Sequence, residues 1–178
     1  QKVYISETLY NRKKQELNLD RFSYEILSDG VFQHVSDTKT PQGILCVVNQ
    51  QKYDMKELLS TPNPFFMVLD NLQDPGNLGT IVRTAEAAGV DAVFLSKESV
   101  DIYNPKTIRS TMGSIYRVPV LYVEDLLELL EVFQKKGITS YAAHLEGKNS
   151  YDRENYQSGT AITESGEYIL EVIDEFNL

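Results

Sequence analysis

Residues 65–96 read FFMVLDNLQDPGNLGTIVRTAEAAGVDAVFLS and decide the fold. The first five residues are a continuous apolar run, which is typical of a strand buried on both faces. A segment rich in Asp, Asn, Pro and Gly then indicates a turn, and apolar residues recur at helical spacing after it. We predict strands at Phe65–Leu69 and Val90–Leu95 with a helix between them. Such a compact unit implies a parallel strand pair with a right-handed crossover.

The predicted helix has Asn77 as its N-cap and ends at Gly89, where a left-handed residue would stop it. Its apolar stripe consists of Leu78, Ile81, Val82, Ala85 and Ala88. This stripe predicts which side of the helix faces the sheet.

The start of this helix also has the composition of a binding site. Gly76 and Gly79 lack side chains where a helix N-terminus leaves backbone N–H groups free, so a ligand could approach the main chain closely. Helical side chains lean toward the N-terminus, so Arg83 would reach back over Gly79. With the Asn77 amide, this set suits a phosphate or a sugar. The alternative, a capped amphipathic helix with an exposed arginine, stays open on spacing alone.

The run DNLQDPGNLGTIVRTAEAAG resembles, nearly residue for residue, motif 1 of the SpoU (TrmH-type) RNA ribose 2′-O-methyltransferases of the SPOUT superfamily. Ser36–Val48 resembles the end of the L30e-like substrate-binding domain that precedes the catalytic domain in many members. Arg109–Val120 resembles the segment after the second catalytic strand. The resemblance implies an α/β fold, with a small L30e-like α/β domain followed by a mostly parallel Rossmann-like sheet and a C-terminal trefoil knot.

We therefore expect an L30e-like RNA-binding domain at residues 1–50, a linker at 51–64 that ends in TPNP, and a methyltransferase domain at 65–178. The helix that opens the family's first domain should precede Lys2. GTAITESGEYILEVIDEFNL resembles motif 2 with residues removed, and motif 3 should begin after Leu178. We expect that residues needed by an active enzyme are missing from the sequence, through truncation or omission, and that the knot is incomplete in it.

The resemblance implies transfer of a methyl group from S-adenosylmethionine to a ribose 2′-hydroxyl of structured RNA, with 23S rRNA favoured over tRNA. In this hypothesis Arg83 stabilises the developing alkoxide, Asn77 orients the ribose, and Glu164 supports the loop that holds the cofactor. Cofactor-binding residues would be Leu145, Glu164 and Gly166. Residues expected to bind RNA are Gly76, Gly79, Arg109, Ser110, Thr40, Gln42, Arg12 and Lys13. The family also implies a homodimer.

The net charge of −9 has the wrong sign for a protein that grips RNA through bulk electrostatics. Residues 1–64 hold 8 basic and 8 acidic side chains, and residues 65–178 hold 9 and 18, so the deficit lies wholly in the second part. Local clusters such as Arg12, Lys13 and Lys14 would therefore have to dock the RNA.

Composition also bears on several classes of protein and of site. No apolar run approaches the roughly 18 residues of a membrane span, and no signal peptide is visible. The single cysteine, Cys46, is expected to be a reduced core residue of a cytoplasmic protein. Neither histidine has a partner at metal-ligand spacing, so no metal site is expected. His144 follows a strand, where a structural role is favoured over that of a general base.

Apolar patterns and turn signals predict the other elements. They are strands at Lys2–Ile5, Phe22–Leu27, Ile44–Val48 (buried), Arg117–Val123 and Thr139–Leu145, and helices at Glu7–Glu16, Asp29–Val35 (capped by Asp29), Met55–Leu59 and from Pro105 through Arg109. A further helix, ended by Gly137, has the core stripe Leu126, Leu127, Leu130 and Phe133.

Two other functions stay open. An RNA-binding or ribosome-assembly factor with the same fold but no activity would suit the acidic body and the missing motif 3. An unrelated phosphate- or nucleotide-binding α/β enzyme would need a Walker lysine or the second acidic residue of a dinucleotide fingerprint, and neither is evident.

Overall fold

The computed structural model describes residues 1–36, 38–142, 150–154, 156 and 158–164. The chain divides into two compact units, Gln1–Gln51 and Lys52–Leu178. The expected linker therefore falls within the second unit, because the helix near Met55 packs Met55, Leu58 and Leu59 against that unit's core.

The first unit is a small α/β module. Its elements are β1 (Lys2–Ser6), α1 (Glu7–Lys13), a 3₁₀ turn (Leu19–Arg21), β2 (Tyr24–Leu27), α2 (Asp29–Val35) and β3 (Ile44–Val47). The strand order is β2-β1-β3, with β2 parallel and β3 antiparallel to β1. Val3, Ile5, Leu9 and Leu19 form its buried core.

Two expectations for this unit are wrong. The run ILCVV is not a buried strand, because β3 lies at the edge of the sheet and leaves Ile44, Cys46 and Val47 exposed. Asp29 does not cap α2, whose N-cap is Ser28. The Asp29 carboxylate instead accepts hydrogen bonds from the Thr8 hydroxyl (2.6 Å) and the Thr8 backbone N–H (3.1 Å), which lower its pKa. Asp29 thus links α2 to α1.

The second unit is a parallel α/β sheet. Its elements are α3 (Met55–Leu58), β4 (Phe65–Leu69), α4 (Pro75–Ala88), β5 (Ala92–Ser96), α5 (Pro105–Ser110), β6 (Val120–Val123), α6 (Leu126–Lys135), β7 (Thr139–Ala142) and β8 (Thr160–Glu164), with 3₁₀ turns at Ser114–Tyr116 and Tyr151–Arg153. The strand order is β6-β5-β4-β8-β7, and all four pairings are parallel. The predicted parallel pairing of the first two strands is confirmed.

Helices cover both faces of this sheet. On one face the rings of Phe66 and Phe94 meet edge-on, with centroids 5.2 Å apart, and both pack against Phe133 of α6. The α6 stripe differs from the prediction because Leu129, rather than Leu127, is buried. On the other face α4 buries the apolar side chains Leu78, Val82 and Ala85, whereas Ala88 is exposed.

The helices α4 and α5 approach each other at a glycine. A Cβ atom added to Gly79 would lie 1.8 Å from the Ser110 Oγ, 2.7 Å from the Ser110 Cβ and 2.9 Å from the Thr107 carbonyl oxygen. Ser110 in turn donates its hydroxyl to the carbonyls of Pro75 (3.2 Å) and Thr107 (2.9 Å). The missing side chain of Gly79 therefore makes room for α5, and no ligand can occupy that space.

This packing gives a stability prediction. Gly79→Ala should lower the free energy of unfolding by about 1–3 kcal/mol, since the new methyl group overlaps Ser110 and the α5 backbone. Gly30→Ala is the matched control: nothing lies within 4 Å of its added Cβ, so stability should stay constant or rise by up to about 1 kcal/mol. Urea unfolding measures both. Ser110→Gly should partly restore the Gly79→Ala variant, and equal stability of the two alanine variants would contradict this account.

Candidate active site

The first turn of α4 is capped by Asp74, not by Asn77. The Asp74 carboxylate accepts a hydrogen bond from the Asn77 backbone N–H (2.7 Å), and Pro75 holds the first helical position, where its missing N–H costs nothing. This hydrogen bond is the main cause that lowers the pKa of Asp74, with help from Lys106, 3.6 Å away. The cap lies three residues earlier than predicted because Asp-Pro-Gly starts the helix more effectively than Asn alone.

The cap removes the anion site that the glycines suggested. A carboxylate already lies against the N-terminal N–H groups of α4, so a phosphate there would meet a like charge. A Cβ at Gly76 would lie 2.9 Å from the Asp74 Oδ1, which shows that Gly76 makes room for the cap. Ser110 and the Asp74 carboxylate thus fill the space beside these glycines, so a close approach of a ligand there is disfavoured, and RNA binding at Gly76 and Gly79 stays a prediction.

The guanidinium of Arg83 is free to contact a substrate. Its side chain is exposed and makes no hydrogen bond or ion pair with any other residue that the structure describes. Gly79, four residues before it, contacts α5, and Glu86, three residues after it, contacts the segment that follows α5. Arg83 therefore lies at the border of the α4–α5 contact, with a free guanidinium.

Asn77 is exposed on the first turn of the same helix. Six residues separate it from Arg83, which places the two about 9 Å apart along the axis and about 120° apart around it. A substrate that touches both side chains must therefore extend over the first turns of α4, as a nucleotide could.

The loop between β4 and α4 is tied to the turn after β5. The Asn71 N–H donates to the Ser96 Oγ (2.7 Å), and the Leu72 N–H donates to the Ser99 Oγ (3.1 Å). The amide of Gln73 donates to the Glu98 carbonyl (2.7 Å). These bonds fix the loop at the carboxyl edge of the sheet, where ligands bind in folds of this kind. Sequence reasoning missed these hydrogen bonds to Ser96 and Ser99, since serines in a short turn carry little signal by themselves.

Arg109 and Ser110 occupy different environments. Arg109 is exposed and has no hydrogen-bonding or ionic partner within the described part of the chain. Ser110 is half-buried between α4 and α5, where its hydroxyl donates to backbone carbonyls. A contact between the Ser110 hydroxyl and RNA is therefore disfavoured. Arg109 directly precedes Ser110, so it belongs to the helix that packs on α4 at Gly79.

A carboxylate cluster joins α4 to the chain after α5. Glu86 forms an ion pair with the Arg117 guanidinium through Nε and Nη2, the latter at 2.9 Å, and accepts a hydrogen bond from the Ser114 hydroxyl. These donors lower the pKa of Glu86 to about 2. Sequence reasoning missed this cluster, because Glu86 and Arg117 lie far apart in the chain.

Two of the three predicted cofactor residues, Leu145 and Gly166, lie outside the described residues, and so does His144. Glu164 ends β8 at the carboxyl edge and pairs with Leu69 of β4. The preceding residue, Thr163, is fully buried, and its hydroxyl has no hydrogen-bond partner among the residues with a described position.

The remaining predicted RNA contacts belong to the first unit. Thr40, Gln42 and Arg12 are exposed. Lys13 pairs with Glu16 at 2.9 Å and is also exposed. All four are accessible within that unit.

The residues that the structure describes contain no cluster of His, Cys, Asp and Glu side chains that could hold a metal ion. The same residues include no helix long and apolar enough to cross a membrane. A cavity of about 620 Å³ lies beside Phe65 and Thr160, the first residues of β4 and β8. It is therefore at the opposite edge of the sheet from the β4–α4 loop and does not belong to the candidate site.

The sequence model of the SpoU rRNA Methylase family matches residues 64–163, more than half of the chain. The chain belongs to the SpoU rRNA Methylase family. The match runs from the residue before β4 to Thr163 in β8, and it includes Arg83, Asn77 and Arg109.

Two curated relatives illustrate the similarity. The chain is 37% identical over 126 residues to the 23S rRNA (guanosine(2553)-2′-O)-methyltransferase RlmP of Bacillus subtilis (strain 168), which covers 71% of this chain and 48% of the relative. It is 37% identical over 114 residues to the mitochondrial rRNA methyltransferase 3 of Homo sapiens, which covers 60% of this chain and 27% of that protein. The chain thus spans half or less of these relatives.

Solved structures share the fold. The AdoMet-bound rRNA methyltransferase of Sinorhizobium meliloti superimposes with a TM-score of 0.76 at 24% identity, covering 98% of this chain and 67% of that one. The SpoU methyltransferase AviRb of Streptomyces viridochromogenes, in complex with AdoMet, gives 0.77 at 17% identity, covering 94% and 67%.

The Glu86 cluster predicts a pH dependence. A folded-state pKa of about 2, against an ordinary value of 4.5, means that ionised Glu86 stabilises the fold above pH 4.5 and that this stabilisation is lost as the pH falls toward 2. Glu86→Gln should therefore lower Tm by a constant amount above about pH 5.5, and the difference from the wild type should shrink in acid. Thermal scans across this range measure it. A difference that stays constant down to pH 2 would contradict the assigned pKa.

Proposed function

We propose that this protein transfers a methyl group from S-adenosylmethionine to a ribose 2′-hydroxyl of structured RNA, with 23S rRNA as the favoured substrate. The observation that carries the proposal is Arg83, an unpartnered guanidinium within the matched family region. The names of the two relatives, both rRNA methyltransferases, support the choice of substrate.

Arg83 would act by electrostatic stabilisation. A ribose hydroxyl is a poor nucleophile, and a positioned cation stabilises the negative charge that develops on its oxygen. The guanidinium keeps its proton at physiological pH, so a role as general base is disfavoured. Because no carboxylate within the described residues neutralises Arg83, its full charge is available to the substrate. The exposed amide of Asn77 would orient the ribose from the first turn of α4.

The described residues fit the cofactor at the carboxyl ends of β7 and β8. The buried Thr163 hydroxyl has no partner among them, and a polar ligand at this edge would supply one. Glu164, with Leu145 and Gly166, would hold S-adenosylmethionine there. When bound, the cofactor supplies an electrophilic methyl group on a sulfonium centre. This chain's own contribution is to place the ribose in line with it.

We further propose that the first unit is an L30e-like RNA-binding module. The exposed Arg12 and Lys13, together with Thr40 and Gln42 in the turn before β3, would contact the RNA backbone. That unit's balanced charge makes it a better docking surface than the acidic second unit. A cytoplasmic homodimer with a C-terminal trefoil knot completes the proposal.

The decisive test replaces Arg83 in the full-length protein. Arg83→Ala should reduce methyl transfer to unmodified 23S rRNA by about 10²–10³-fold, since one oxyanion-stabilising donor is removed. Calorimetry should show that binding of S-adenosylmethionine is unchanged. Tritium transfer from labelled cofactor measures the activity, and Lys135→Ala on α6 is the control for loss of an exposed cation.

Each result has a distinct meaning. Undiminished transfer by Arg83→Ala would refute the assigned role. A wild-type protein that binds RNA but neither S-adenosylmethionine nor any methyl label would instead identify an inactive RNA-binding or assembly factor.

A further inference from the structure

Met112, between α5 and the 3₁₀ turn at Ser114–Tyr116, has an unusual backbone conformation. Its φ of 51° lies in the left-handed region, which the structure otherwise assigns, among described non-glycine residues, only to Asn63 and Asn71. Asparagine tolerates this region because its short polar side chain compensates locally, whereas a methionine has no such means. Strained residues of this kind concentrate at functional sites.

Burial of the Met112 side chain does not compensate for this backbone conformation. It is 72% exposed, the highest value among the large apolar side chains that the structure leaves exposed within its described residues. The next residue, Gly113, also has a positive φ (91°), so the turn as a whole is built to carry Met112 outward. Packing therefore does not explain why methionine stands at this position.

The contacts around the turn place Met112 beside Arg83. Ser110, two residues before it, packs on Gly79, and Ser114, two residues after it, bonds to Glu86. Arg83 lies between Gly79 and Glu86 on α4. The turn therefore passes Arg83 at the level of Met112.

The charges of this surface favour a polyanion. Arg83 and Arg109 are exposed and unpaired among the described residues, whereas Glu86 is neutralised by Arg117 and Asp74 lies near Lys106. Residues 65–178 otherwise hold twice as many acidic as basic side chains. An exposed apolar side chain on a surface that also carries free guanidinium groups matches an unstacked nucleobase flanked by phosphates.

We propose that Met112 is an RNA-contacting residue that packs against an unpaired base next to the target ribose. This inference rests on the proposed function and adds a residue that reads the substrate. Methionine suits the role because its flexible, polarizable thioether adapts to the face of a base. Tyr116, 49% exposed on the same segment, offers a ring for a neighbouring base.

A second copy of this chain is the competing occupant, and the charges disfavour it. A two-fold interface places the same patch against itself, so it would bring Arg83 and Arg109 toward their own copies. A polyanionic partner meets no such repulsion.

The test separates the side chain from its backbone. Met112→Gly removes the thioether and also relieves the positive φ, so Tm should not fall. Binding to an unmodified transcript of Bacillus subtilis 23S rRNA should weaken about tenfold, as for loss of one base contact. The salt dependence of binding should stay unchanged, whereas Arg109→Ala should lower its slope by about one. Met112→Leu should bind like the wild type, and Asn63→Gly, which relieves a similar φ at the opposite edge, should change nothing.

The outcomes distinguish this inference from the proposed function. Wild-type affinity in Met112→Gly overturns the inference, as does a reduced salt slope, which would show that the turn acts through an arginine. Dissociation of a dimer by Met112→Gly, seen by sedimentation, would also overturn it in favour of a self-interface. A wild-type protein that shows the tenfold effect but transfers no methyl group overturns the proposed function alone. A wild-type protein that does not bind the transcript overturns both.

Discussion

The close approach of α4 and α5 is the constraint on which the site depends. It exists because Gly79 presents bare backbone to Ser110 and to the Thr107 carbonyl. Two turns later, Glu86 extends the same contact to Ser114 and Arg117. Arg83 lies between these two anchors, so its place relative to Arg109 and Met112 follows from helix packing rather than from any bond of its own. This arrangement holds the backbone near the guanidinium rigid and leaves the guanidinium itself free.

A second constraint acts at the carboxyl edge of the sheet. The β4–α4 loop would have unpaired N–H groups at Asn71 and Leu72 if the hydroxyls of Ser96 and Ser99 did not accept from them. Asp74 does the same for the first turn of α4. The polar residues of this loop therefore complete the fold first. Asn77 and Arg83 remain available to a substrate, because their side chains make no hydrogen bond to another described residue.

The elements that depend on local apolar periodicity, and on glycine or proline at their ends, were predicted correctly from the sequence. The bounds of β4 were correct, as was the left-handed Gly89 that ends α4, since an apolar run between breakers and a glycine after a helix are local signals. Asn104 caps α5 with Pro105 at its start, for the same reason. The resemblance to the SpoU enzymes rested on such a contiguous run and is confirmed by the family match.

The errors came from features that depend on contacts distant in sequence. Gly79 looked like an opening for a ligand, because nothing in the sequence shows that Ser110 fills the space. Cys46 looked buried, because an apolar run does not reveal that its strand lies at a sheet edge. The cap predicted at Asn77 is an error of another kind, since Asp74 followed by Pro75 is itself a local signal for the start of a helix.

The negative net charge opposes RNA binding less than its value suggests. Many of the aspartates are engaged with backbone donors: Asp54, Asp74 and Asp125 each cap a helix, and Asp91 accepts from the Phe65 N–H at the start of β4. A carboxylate at a helix N-terminus is partly offset by the helix dipole, so it repels a phosphate less than a free carboxylate would. Charges more than about 8 Å from the RNA are also largely screened at physiological ionic strength. What a bound nucleotide experiences is then set by the few side chains nearest to it, and the Arg83 guanidinium is one that no described carboxylate neutralises.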